Sequence, residues 1–201
     1  MGKGWSGPPD FSSDRCGSII DLPMPLSTRF HAIAIALALA MAGALAGCSP
    51  TFNWREVPIG SEGVIVLLPC KPDRATRALP LGAEAVSVDM AGCEAGGATF
   101  AVAHAVAGSP AQAEGWARAW RAATRSQLAG APATEVPAEL PRAASTPAPV
   151  RLDTPEAGGG LHVLWFAQQR PDGVSLYQAT VLGRPSSAEA LATFFEGVRV
   201  P

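Results

Sequence analysis

Apolar and polar positions change their period several times along the chain. Val64-Ile65-Val66-Leu67-Leu68 is a compact, β-branched run closed by Pro69, the pattern of a buried strand. Ala75 to Leu81, bounded by Pro72 and Gly82, predicts a second short strand. Val86, Val88 and Met90 alternate with Ser87 and Asp89, and Phe100, Val102, His104 and Val106 alternate with Ala101, Ala103 and Ala105. A period of two predicts half-buried strands, and Gly92 to Gly97, with Cys93 inside, reads as the turn between them. Strand character returns at Leu161-His162-Val163-Leu164-Trp165-Phe166. Pro171-Asp172-Gly173 then predicts a turn, and Val174 to Leu182 a returning arm with Tyr177, Ala179 and Val181 on one face.

Two stretches carry a helical period instead. Ser109 with Gln112 three residues on is a capping-box signature, and Pro110 takes the favoured first helical position. Ala113, Trp116, Ala117, Trp120 and Leu128 fall on one stripe, and Gly130 is a stop. Ser186 with Glu189 predicts a second helix, its buried stripe made by Leu191, Phe194, Phe195 and Val198. Between the helices, residues 131–149 contain Pro132, Pro137, Pro141, Pro147 and Pro149 and read as an Ala/Pro-rich loop. Residues 48–62 are polar and Pro-containing and read as a tether before one domain over 63–201. Strands, helix, strands, helix predict an α+β fold: an antiparallel sheet of about five to seven strands with two packed helices.

The stretch from Ala32 to Ala46 fits neither period. It is apolar and uncharged over 15 residues, with Arg29 and His31 ahead of it. A spanning helix needs about 20 apolar residues, so this length suits the apolar region of a signal peptide. The segment also accounts for the composition. The 201 residues are 48% hydrophobic and 16% charged, with a mean hydropathy of +0.18. Nearly all of that positive hydropathy resides in this one segment. The rest has the make-up of a domain with a modest core. A formal net charge of -2 argues against a nucleic-acid partner, which needs a basic face.

Leu45-Ala46-Gly47-Cys48 resembles the lipobox of bacterial lipoproteins, and the resemblance extends over the segment from Met24 to Cys48. It implies a signal peptide over 24–47 and cleavage between Gly47 and Cys48. Cys48 would then be thioether-linked to diacylglycerol and its new amino group acylated, with palmitate the expected chain. The implied partner is a lipid bilayer, gripped by several acyl chains at about 0.8 kcal/mol per buried methylene. The implied location is the cell membrane or the outer membrane, with the domain facing the periplasm; Ser49 in place of Asp is compatible with outer-membrane sorting. The alternative is an uncleaved single-pass anchor with an incidental Cys. Upstream, residues 1–23 hold Cys16, Pro8, Pro9, Asp10, Asp14 and Asp21. Met24 is the expected start, which makes this stretch a gene-start artefact; the alternative is a disordered extension.

Of the remaining cysteines, Cys70 and Cys93 fall within the exported part. An oxidising compartment favours a disulfide between them. Two buried thiols or half of a metal site are the other readings, and the latter lacks neighbouring ligands at short spacing. A second resemblance rests on Val66-Leu67-Leu68-Pro69 with Lys71-Pro72, and on Phe194-Phe195 followed by Val198-Arg199-Val200. These look like the first strand and last helix of PsbP-like domains, which implies an α/β/α sandwich around an antiparallel sheet.

Candidate chemistry is sparse. His104 and His162 lie in strands, where a packed or solvent-facing role is the ordinary one. No nucleophile-elbow, phosphate-loop, dinucleotide-binding or zinc-protease spacing is present. Arg118, Arg121 and Arg125 lie along the polar side of the first predicted helix. They suit anionic head groups or a partner's carboxylates, or simply a solvated face. Trp116 and Trp120 predict packing against the sheet, or the wall of a ligand cleft. The expectation is a non-enzymatic envelope lipoprotein that contacts a protein or glycan and uses no cofactor and no metal. The alternative is a periplasmic ligand-binding or enzymatic domain with a cleft near Trp116 and Trp120.

Overall fold

The computed structural model of the protein describes residues 50–61, 63–155 and 159–201. The expectations on residues 1–47, Cys48 and Ser49 lie outside the described residues.

Seven strands form one antiparallel sheet. In chain order they are β3 (Asp73–Leu81), β4 (Glu84–Ala95), β5 (Ala98–Ala107), β6 (Thr134–Pro137), β7 (Val150–Asp153), β8 (Leu161–Arg170) and β9 (Gly173–Gly183). Across the sheet they run β3-β4-β5-β9-β8-β7-β6. A separate hairpin pairs β1 (Arg55–Ile59) with β2 (Val64–Leu68), and the described residues also form two helices, α1 (Pro110–Gln127) and α2 (Ala188–Glu196). This is the expected α+β class, with a large antiparallel sheet and two helices.

The period-two patterns place different residues on the two faces of the sheet. Register pairs Phe100 with Val181, Val102 with Ala179 and Phe166 with Tyr177. These residues share one core with Val57, Ile59, Val64, Val66 and Leu68 of the hairpin and with Ala190 and Phe194 of α2. On the opposite face Ala103, Ala105, Ala107, Val174 and Leu176 lie under Ala113, Trp116 and Trp120 of α1. The small alanines of β5 leave room for two indoles, so a strand of modest residues is buried on both faces. The result is three layers: helix, sheet, and hairpin with helix. Val106 departs from the expected stripe and is 44% exposed, although Ala105 and Ala107 on either side of it are buried.

The caps differ between the helices. Ser109 Oγ accepts from Gln112 N at 3.2 Å, and Gln112 Oε1 accepts from Gly108 N at 2.8 Å, so the start of α1 is satisfied as the sequence predicts. At α2 the N-cap is Ser187, one residue later than expected, and no side chain caps it. Packing of Ala190 and Phe194 must hold this helix instead.

Three expectations need correction. The stretch expected as a tether over 48–62 contains a strand: Arg55–Ile59 pairs into the hairpin, with Val57 and Ile59 buried. Pro58 obscured it, yet β1 is an edge strand, where a missing N–H is tolerated. The turn expected over Gly92 to Gly97 is confined to its end, because β4 runs to Ala95. Gly92 serves close strand approach: a methyl there would lie 2.9 Å from both the Phe100 carbonyl oxygen and the Ala101 Cβ. The loop expected over 131–149 contains β6, and β7 follows it directly.

Candidate functional site

Cys70, just after β2, and Cys93, on β4, form a disulfide with their Cα atoms 5.9 Å apart. The pair is thus neither two free thiols nor half of a metal site. It ties the hairpin layer to the main sheet, which matters because an isolated two-stranded hairpin is only marginally stable. Replacing both cysteines with alanine is expected to lower unfolding stability by about 3 kcal/mol, the loop-closure value for this separation. Urea denaturation of the two chains under non-reducing conditions checks this; equal midpoints would contradict it.

A cavity of about 310 Å³ opens between α1 and the sheet. Trp120 from α1, Trp165 from β8, Leu176 from β9 and Val150 from β7 form apolar walls, and Pro147 closes one side. Trp165 is fixed by its Nε1–H, which donates to Gln178 Oε1 at 2.9 Å. Trp120 is 6% exposed and Trp116 9%. Both indoles pack on the sheet, but only Trp120 also lines this cavity.

Glu114, Arg118 and Arg121 form the charged part of the lining. The three arginines of α1 do not share one solvated role. Arg121 Nη1 lies 3.4 Å from Glu135 Oε1, and Arg125 bonds the other oxygen of the same carboxylate. Arg118 lies 3.7 Å from Glu114, one turn earlier, in an exposed pair. Sequence reasoning missed Glu135, whose strand was hidden in the Ala/Pro-rich stretch. No period-two signal marks it, since Thr134 and Glu135 are both polar and Pro137 follows Val136 directly.

The histidines lie elsewhere. His104 is buried on β5 and stacks on Tyr177 at 4.8 Å, and Phe166 stacks on Tyr177's ring at the same distance. His162 Nδ1 lies 2.7 Å from Asp153 Oδ1, and Arg151 Nε donates to the same oxygen at 2.9 Å. The Arg151 guanidinium also sits 3.5 Å above the Phe195 ring. This network joins β7 and β8 to α2. Among the described residues, no group of three or more His, Cys, Asp or Glu is placed to hold a metal ion.

Fold and site together define a three-layer α+β module with an apolar cavity under one helix and arginines at its edge. No family model matches the chain, and no curated protein matches it.

Proposed function

We propose that this chain is a lipid-anchored binding module of a bacterial cell envelope. The signal over 24–47 is removed, and Cys48 carries the lipid. The domain faces the periplasm, where it binds a partner or ligand and does no chemistry on it. Leu45-Ala46-Gly47-Cys48, which closes the uncharged 15-residue run from Ala32 to Ala46 with Arg29 ahead of it, carries this reading. The Cys70–Cys93 disulfide supports it independently, since such bonds persist in exported proteins. The cavity beside Trp120 supports binding, because it offers apolar walls and a charged edge.

Metabolic labelling with palmitate tests the anchor. The unaltered chain is expected to take up label, Cys48→Ser to take up none, and Cys16→Ser to label as the unaltered chain does. Equal labelling of Cys48→Ser would overturn the reading.

A further inference from the structure

We infer that the cavity under α1 binds a small, flat, apolar monoanion such as an aromatic carboxylate. This rests on the reading of the domain as a binding module, and not on acylation of Cys48. The cavity volume of about 310 Å³ lies at the small end of ligand sites, which run from about 300 to 1,000 Å³. It therefore suits a compact ring system better than a long chain. Trp120 and Trp165 supply aromatic surface to its walls, and Leu176 and Val150 supply aliphatic surface. Flat rings gain most from such walls.

The charge at the edge selects an anion. Three guanidiniums, of Arg118, Arg121 and Arg125, face two carboxylates, of Glu114 and Glu135. Glu135 engages both Arg121 and Arg125 and so fixes the Arg121 guanidinium at the cavity wall, where its side chain is 31% exposed. Arg118 is 66% exposed, and its contact with Glu114 spans 3.7 Å; an exposed pair of this kind holds a side chain only weakly. Arg118 can therefore turn to a bound carboxylate, which a guanidinium meets with two parallel hydrogen bonds. One net positive charge at the mouth matches one negative charge on the ligand.

Calorimetric titration of the full chain in phosphatidylcholine nanodiscs, with empty nanodiscs as blank, tests the inference. The probes are 2-naphthoate and its neutral counterpart 2-naphthylmethanol. Saturable one-to-one binding is expected, at least tenfold tighter for the anion. Partition into lipid has the opposite order, because the neutral alcohol enters a bilayer more readily. Arg118→Gln with Arg121→Gln, which removes the two guanidiniums at the cavity edge, is expected to weaken naphthoate binding tenfold or more and to leave the alcohol unchanged. Ala117→Phe, which fills the cavity, is expected to remove binding of both. Absence of saturable binding, equal affinity for the two probes, or an unaltered anion preference in the double Gln variant would each overturn the inference. Should Ala117→Phe not fold, the first two comparisons still decide. Palmitate labelling at Cys48 reads the anchor separately, so failure of one is distinguishable from failure of the other.

Discussion

Phe194→Ala is expected to remove about 3–5 kcal/mol of unfolding stability. Phe194 is fully buried and meets Phe100 edge-on at 5.4 Å and Phe195 at 4.9 Å. It is the one large, fully buried side chain of α2, a helix of 9 residues without a side-chain cap. Such a helix is too short to stand on propensity alone, so loss of its anchor releases the helix as well as leaving a cavity. The hairpin follows, since the segment after α2 bonds β2 through Arg199 N to Ile65 O at 2.9 Å and Ile65 N to Arg199 O at 3.0 Å. Urea denaturation should show a much lower midpoint. Leu182→Ala, at a position 55% exposed, should stay within about 0.5 kcal/mol of the unaltered chain. Similar losses at the two positions would contradict this packing.

Gly173→Ala is expected to cost about 3 kcal/mol or more, through backbone alone. Gly173 begins β9 at φ +150°, and a methyl there would lie 2.2 Å from the Ala107 carbonyl oxygen. The Gly108 Cα would be 3.4 Å away. Neither is the end of a flexible side chain, so β5 and β9 must part at the point where α1 starts. Gly82→Ala is the matched control. Its φ is +79°, yet nothing lies within 4 Å of an added methyl, so only the left-handed strain of about 1 kcal/mol applies. Thermal or urea unfolding of the two variants separates clash from strain, and equal costs would refute the clash.

Much of this architecture can be read from local pattern. Val64–Leu68 is apolar at every position because β2 lies between the sheet and the carboxy-terminal segment. The start of α1 is written in Ser109, Pro110 and Gln112, whose bonds are all local. The cysteine pair is legible because few cysteines remain once Cys48 and Cys16 are set aside. What local pattern does not carry is whether a glycine or proline ends an element or only marks its edge. Gly92 has the same signature as a turn, but it sits where two strands come unusually close. Pro58 and Pro137 look like breakers, yet each lies on an edge strand that does not require its N–H. The site follows the same division. Trp120 and the arginines are visible on one helix, but Glu135, Val150 and Trp165 arrive from strands far along the chain. Their meeting depends on a sheet order, β9-β8-β7-β6, that no single segment encodes.

Intact-mass analysis of the chain purified from membranes is the direct test of the proposed lipid anchor. The expected mass is that of a chain beginning at Cys48 with a diacylglycerol and an amide-linked acyl group added. An unacylated chain that still begins at Met1 or Met24 would contradict it.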